Sequence, residues 1–163
     1  MNPRAPVELG MMSDPLYLCG ARELVASLAE RFGFSDECCC RIKLAVDEAL
    51  ANVIRHGYHR EFDKPIWLRL EPLPSDNGFP IGGIRIVIED EADQVDPKII
   101  KSRDLDEVRP GGLGVHIIRE IMDEVVYEKR ERVGMRLTMV KRLDDDDARA
   151  CCRLNQEGGG RPC

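Results

Sequence analysis

Three polar side chains follow one another at four-residue steps in the stretch 44–57, LAVDEALANVIRHG. They are Glu48, Asn52 and His56. Because an α-helix turns once in about 3.6 residues, this spacing places the three side chains along one stripe of a single helix. A carboxylate beside a carboxamide and an imidazole suits a site for phosphate and metal. The same stripe also fits an ordinary solvated helix face, and the spacing alone does not decide between the two.

A glycine-rich turn forms the second candidate stretch. It consists of Gly111, Gly112, Leu113 and Gly114 and stands directly before a run with helical spacing. Glycines let backbone amides approach an anion, and a helix N-terminus adds unpaired N–H groups and a positive dipole end. Phosphate is therefore the expected ligand, and a plain flexible turn is the alternative. The stretch is not a P-loop, because no Gly-Lys-Ser/Thr follows it.

Asp90 is the third candidate, at the end of the alternating run GIRIVIED. A carboxylate at the point where a strand meets a loop could accept a hydrogen bond from an amino group such as that of adenine. An acid at a strand end is more often a solvated boundary. The interest of Asp90 rests on its place in the chain, between the other two stretches.

Apolar periodicity predicts the elements that must position these residues. The predicted helices cover residues 16–32, 36–55 and 113–122, and the predicted strands cover 7–12, 65–71, 83–90, 124–129 and 134–143. Gly33 is a natural stop for the first helix, and Ser35 is the expected N-cap of the second. We expect Gly57 to close the second helix in a left-handed conformation. Residues 91–110 are expected to form a mobile connection or lid with a short helical turn.

This order of elements predicts a two-layer α+β sandwich, in which a mixed, mainly antiparallel sheet has helices on one face. We expect one domain over residues 1–143. The tail, 144–163, is acidic and then glycine-rich, and is expected to be disordered.

Composition narrows the class of protein. The 163 residues are 43% apolar and 33% charged, which is typical of a soluble globular domain, and the net charge of −6 argues against direct nucleic-acid binding. No apolar run approaches the roughly 18 residues of a membrane span, and the N-terminal sequence lacks the apolar core of a signal peptide. We therefore expect a cytoplasmic protein without membrane contact. The seven cysteines lack paired zinc-site spacing and are interpreted as thiols.

Together the three stretches resemble the compact anti-sigma-factor serine kinases of the GHKL ATPase superfamily, relatives of the histidine kinase catalytic domain. The resemblance runs from about residue 7 to residue 143. Its most specific parts are DEALANVIRHGY (47–58), IEDEADQVDP (88–97) and GGLGVHIIREIMDEVVYE (111–128), which leads into RLTMVKRL (136–143).

The resemblance implies a role for each candidate residue. Glu48 matches the general base, which takes the proton from a serine or threonine hydroxyl of a protein substrate as it attacks the γ-phosphate. Asn52 matches the Mg²⁺ ligand, and Asp90 matches the acid that reads adenine. The other matches to the nucleotide site are Ala92 near the base, Gly112, Leu113 and Gly114 at the phosphates, Thr138 supporting the adenine site through water, and His56 within reach of the phosphates or the lid.

The chain departs from the usual Asp-x-Gly-x-Gly pattern of this family after Asp90. Ala92 and Gln94 stand where the two glycines would be. Ala92 adds one methyl group, whereas Gln94 places a full side chain where the backbone normally bends close to the nucleotide.

The resemblance predicts a serine/threonine protein kinase that depends on ATP and Mg²⁺ and acts as a homodimeric anti-sigma factor. It would bind a sigma factor and phosphorylate an antagonist protein. The alternative is a binding module of the same fold that sequesters a regulatory protein without phosphoryl transfer. A fragment of a two-component histidine kinase is disfavoured, because none of His56, His59 and His116 lies on an upstream dimerisation helix.

Overall fold

A single sheet with helices on one face makes up the fold. The computed structural model describes residues 5–75, 81–100 and 113–144. The strands in these ranges are β1 Val7–Met12, β2 Pro65–Leu73, β3 Gly83–Asp90, β4 Glu124–Lys129 and β5 Met135–Arg142. The α-helices are α1 Leu18–Phe32, α2 Asp36–Asn52 and α3 Leu113–Ile121. Short 3-10 turns occupy Pro15–Tyr17 and Pro97–Ile99, and a π turn occupies Val53–Gly57.

The strands lie in the order β1-β2-β3-β5-β4. Every neighbouring pair in the described ranges is antiparallel. The predicted α+β sandwich is therefore confirmed, but its sheet is antiparallel throughout these ranges and not mixed. The difference arises because β5 lies between β3 and β4 and is antiparallel to both, so the connection from β3 to β4 through α3 creates no parallel pair.

Alternating burial shows which face of the sheet the helices cover. Ile84, Ile86 and Ile88 of β3 are buried at 1% exposure or less, whereas Arg85 between them is exposed. From the helix layer, the fully buried side chains of Ile42, Val46 and Leu50 belong to the same core as the β3 isoleucines. Each such burial contributes roughly 1.5–3 kcal/mol, so this face anchors α2, the helix that carries two of the candidate residues.

The predicted boundary between the first two helices is confirmed. Gly33 ends α1 with φ of 106°, and its N–H donates to the carbonyl oxygens of Ala29 and Glu30. The Ser35 hydroxyl then accepts a hydrogen bond from the N–H of Cys38, which caps the start of α2. This cap gives a partner to one of the N–H groups at the start of α2 that have no partner within the helix.

The end of the long helix differs from the prediction. α2 is α-helical only to Asn52, and the chain then makes the π turn Val53–Gly57, in which the Tyr58 N–H donates to the Val53 carbonyl oxygen at 2.8 Å. A π turn holds more residues than an α turn. Residues after Asn52 therefore do not continue the four-residue stripe.

The prediction that Gly57 is left-handed is wrong. His59 and Arg60 adopt positive φ instead, at 49° and 68°. Gly57 instead allows a close contact, since a Cβ atom placed on it would lie 3.0 Å from the Cβ of Ala92. The missing side chain lets the loop after β3 pack closely against the end of the helix.

The short helical turn expected within residues 91–110 is confirmed as Pro97–Ile99, which begins at an Asp96 cap. Gly111, Gly112, residues 101–110 of the expected connection or lid, and the tail from residue 145 lie outside the described residues. No helix in the described ranges is long and apolar enough to cross a membrane.

Four of the seven cysteines lie in the described ranges, and no disulfide joins them. Cys39 is buried in the core, and burial raises the pKa of its thiol to about 11. The Cys39 thiol therefore stays protonated at neutral pH, which makes it a poor nucleophile.

Candidate active site

Glu48 and Asn52 lie one turn apart on α2, and both are half-buried. Val46 and Leu50, on the opposite side of the helix, are fully buried and hold it against the sheet. The four-residue step thus places a carboxylate and a carboxamide side by side, as the sequence predicted. His56 lies in the π turn and is exposed, so the stripe ends at Asn52.

The first turn of α3 meets this pair. A Cβ atom placed on Gly114 would lie 2.6 Å from Oε2 of Glu48 and 3.3 Å from Nδ2 of Asn52. Any side chain at residue 114 would displace the Glu48 carboxylate from this position, so the close approach depends on glycine. Two stretches that are far apart in the chain are therefore joined in one site. The neighbouring Leu113 is 60% exposed, and Gly112 lies outside the described residues.

Asp90 is buried at the end of β3, with 5% of its surface exposed. Its Oδ1 atom accepts hydrogen bonds from the backbone N–H groups of Ala92 at 2.9 Å and Met135 at 3.0 Å. Burial raises the pKa of the Asp90 carboxyl, and these two N–H donors act in the opposite direction. Among the described residues, no donor reaches Oδ2. One oxygen is thus held by the protein and the other is available to a ligand.

Residues of the β4–β5 turn contact the backbone of Asp90. The Arg130 guanidinium donates through Nη1 to the Asp90 carbonyl oxygen at 2.6 Å. Gly134 has φ of 86°, and a Cβ atom on it would lie 1.8 Å from the same carbonyl oxygen. The sequence reasoning did not identify Arg130 or Gly134. A glycine in a charged hairpin turn was the only available signal.

Tyr58 is a third residue that the sequence reasoning missed. Its buried hydroxyl donates to the Pro65 carbonyl oxygen and accepts from the Glu91 N–H, each at 2.6 Å. Burial raises the pKa of the Tyr58 hydroxyl, so it remains a neutral donor and acceptor. Tyr58 thereby ties the end of the helix to the start of β2 and to the loop after Asp90.

Both departures from the glycine pattern have specific partners. The Ala92 methyl group is buried against Gly57, which has no side chain to oppose it. The Gln94 side chain is half-buried and donates through Nε2 to the Arg130 carbonyl oxygen at 2.6 Å. The loop that follows Asp90 is therefore attached to its surroundings at both positions.

The structure does not bring Thr138 to the adenine side of the site. In the β3–β5 register Thr138 pairs with Val87, whereas Ile88 and Asp90 alternate onto the helix-covered face. Thr138 therefore lies on the opposite face of the sheet, and its predicted contact is corrected. The residue of β5 beside the Asp90 carboxylate is Met135, which contributes only its backbone N–H.

The donor set at α2 fits Mg²⁺. No group of three His, Cys, Asp or Glu side chains in the described ranges could hold a metal ion without help from a ligand. Mg²⁺ is usually held by one or two side chains together with substrate phosphates and water. The Asn52 amide oxygen beside the Glu48 carboxylate matches that requirement.

Comparison with known proteins assigns the family. Residues 11–141 match the model of the histidine kinase-like ATPase domain. The chain belongs to this family. The matched range includes Glu48, Asn52, Asp90 and Gly114, so all the residues that form the site lie within the ATPase domain.

Related proteins narrow the assignment to one branch of the histidine kinase-like ATPases. The chain is 30% identical over 139 residues to the serine-protein kinase RsbW of Listeria monocytogenes serotype 4a (strain HCC23), which covers 81% of this chain and 85% of the relative. It is 27% identical over 151 residues to RsbW of Oceanobacillus iheyensis, covering 86% and 89%. RsbW of Bacillus subtilis (strain 168) is 24% identical over 151 residues, covering 86% and 90%. The chain therefore belongs with the serine-protein kinases of this family.

Proposed function

We propose that this chain is an ATP-dependent serine/threonine protein kinase that acts as an anti-sigma factor in the cytoplasm. It binds a sigma factor and phosphorylates an antagonist protein. The antagonist competes with the sigma factor for binding to the kinase. The observation that supports the catalytic part is the close approach of Gly114, at the start of α3, to Glu48 and Asn52. A carboxylate, a carboxamide and the start of a helix lie close together there, which supports the proposed roles of base, metal ligand and phosphate site.

The reaction assigns one task to each of these groups. Glu48 accepts the proton of the substrate hydroxyl while the hydroxyl oxygen forms a bond to the γ-phosphorus, and the bond to the β-phosphate oxygen breaks to release ADP. The N–H groups at the start of α3 bind phosphate oxygens, helped by the positive end of the helix dipole. Asn52 would hold Mg²⁺, which neutralises phosphate charge when bound.

Asp90 would select the base. An ionised carboxylate accepts a hydrogen bond from the adenine amino group through Oδ2, while Oδ1 stays bound to the N–H groups of Ala92 and Met135. Guanine presents a carbonyl oxygen at that position, so two acceptors would face each other. The proposed kinase therefore prefers ATP to GTP.

A homodimer is part of the proposal and is supported by the edge strand β1. Within the described residues the outer edge of β1 has no partner strand. Next to it lies an apolar groove of 670 Å³ between β1 and α1. Met12 and Tyr17 line the groove and are 51% and 49% exposed. In the proposed dimer a second copy of the chain pairs with this edge and covers the groove. Sedimentation of the native chain and of Met12→Glu tests for that dimer.

Phosphate transfer from ATP radiolabelled at the γ-phosphate tests the kinase directly, with a candidate antagonist as acceptor. Glu48→Gln is expected to lower the rate by about 10²- to 10⁴-fold, the usual effect of losing a general base. Glu37→Gln, an exposed change on the same helix, is the matched control and should leave the rate unchanged. Tight partner binding without any labelling would instead favour the non-catalytic binding module.

A further inference from the structure

A chain of contacts runs from Gln94 through Arg130 to Asp90. It joins the loop after β3 to the β4–β5 turn and ends at the residue proposed to read adenine. We infer that Gln94 and Arg130 are positioning residues of the nucleotide site, which hold Asp90 in place for the base. This inference rests on the proposed ATP site and concerns residues that would not touch the nucleotide.

The first contact attaches the loop to the turn. Gln94 Nε2 donates to the Arg130 carbonyl oxygen at 2.6 Å, across 36 residues of sequence. Together with the Tyr58 contact at Glu91, it gives the loop two attachments, one on each side of Ala92. A glycine at residue 94 could not make this bond. Gln94 is therefore a tether at a position where glycine would leave the loop more flexible.

The second contact fixes the Arg130 side chain. Its guanidinium lies 5.3 Å from the centre of the Trp67 ring, at a cation–π distance. The same group donates to the Asp90 carbonyl oxygen at 2.6 Å, and its Nε lies 3.9 Å from the Glu89 carboxylate. A planar guanidinium held by an aromatic ring, by one hydrogen-bond acceptor and by a nearby carboxylate has reduced rotational freedom.

The third step connects the turn to the carboxylate. The turn contacts Asp90 through the Arg130 side chain on the carbonyl side, and the Met135 N–H at its end binds Oδ1. Gly134 packs against the same carbonyl oxygen, and its own carbonyl accepts from the Arg130 N–H at 3.1 Å. A displacement of the turn would therefore move both the backbone and the side chain of Asp90. Gln94 limits that displacement, which keeps the carboxylate preorganised for the base.

Gln94→Glu tests the tether, because it keeps the size of the side chain but removes the donor and places an acceptor against a carbonyl oxygen. We expect the Kd for ATP to rise about tenfold, with the rate at saturating ATP unchanged. Glu131→Gln is the control, since residue 131 is exposed in the same turn. A variant that lost rate and thermal stability together, with Kd unaffected, would indicate a purely structural role and overturn the inference.

A double-mutant cycle with Asp90→Asn checks the route. If Gln94 acts through Asp90, Gln94→Glu should have little further effect on ATP affinity once the carboxylate is gone. An undiminished tenfold loss in the Asp90→Asn background would contradict positioning through Asp90.

Trp67 supplies a local readout, because it is the only tryptophan in the chain. ATP should change its fluorescence in the native protein, and Arg130→Lys should greatly reduce that change while Arg132→Lys preserves it. If calorimetry shows that the native chain does not bind ATP, the proposed function fails and the inference fails with it. If the native chain binds ATP but Gln94→Glu and Arg130→Lys bind it equally well, only the inference fails.

Discussion

The substitution Gly114→Ala, at the point where α3 meets α2, should lower the rate of phosphate transfer strongly while changing the free energy of unfolding little. The new methyl carbon would lie 2.6 Å from Oε2 of Glu48. A carbon and an oxygen in ordinary contact are about 3.4 Å apart, so the carboxylate must move by roughly 0.8 Å. The obstructing atom is the end of a flexible side chain, which can rotate out of the way.

The expected costs of this rotation are very unequal. Leaving a preferred rotamer costs about 0.5–1.5 kcal/mol, and the better helix propensity of alanine returns up to about 1 kcal/mol. The free energy of unfolding should therefore change by less than about 1 kcal/mol. A misplacement of about 1 Å in a catalytic group can lower a rate by 10²-fold. We expect phosphate transfer at saturating ATP to fall by about that factor.

Gly20→Ala is the matched control for this prediction. A Cβ atom on Gly20 of α1 would meet no atom within 4 Å. The exchange should keep the native rate and leave stability equal or slightly higher. Initial rates at saturating ATP, together with thermal melts, measure both quantities. A Gly114→Ala protein with the native rate would refute the placement of Glu48 as the base beside α3.

Two further predictions concern Asp90 and its loop. Burial raises the pKa of the Asp90 carboxyl, and only the ionised form accepts from adenine, so ATP affinity should be complete above that pKa and fall as the pH drops through it, at a higher pH than for an ordinary aspartate. Isothermal titration calorimetry of ATP binding at several pH values, on the native chain and on Asp90→Asn, measures this effect. The protonation of the ATP phosphates affects both proteins equally, so identical pH profiles would contradict the prediction. The substitution Gly57→Ala should lower the free energy of unfolding more in the native chain than in the Ala92→Gly variant. The coupling between the two substitutions, measured by denaturant unfolding, should be at least about 0.5 kcal/mol. Simple additivity would mean that the 3.0 Å approach of these residues carries no strain.

Local patterns were sufficient to predict most of the framework. The alternation of Ile84, Ile86 and Ile88 defined β3 to the residue, since a half-buried strand repeats every two positions. Gly33 and Ser35 defined the boundary between α1 and α2 because their roles depend on nearby backbone atoms only. The same locality placed Glu48 and Asn52 on one side of α2.

The errors arise where geometry depends on distant contacts. The family resemblance implies a place for Thr138 on the adenine side, but the face that Thr138 occupies depends on its register with Val87, and a shift by one residue reverses the face. Likewise His56 leaves the stripe because of a π turn, for which the sequence has no simple signal. The Gln94–Arg130 bond spans 36 residues and could not be read from either segment alone.

The two missing glycines were the main argument for a binding module without catalysis, and the contacts of the replacing residues weaken it. Ala92 fits against Gly57, which lacks a side chain, and Gln94 bonds to the turn that supports Asp90. Burial of the Asp90 carboxylate has a cost, because burial disfavours its ionised form. Asp90 is held through one oxygen by two N–H groups, with no donor to the other among the described residues. The other oxygen can accept a hydrogen bond, so this arrangement is compatible with a ligand that has an amino group at that position.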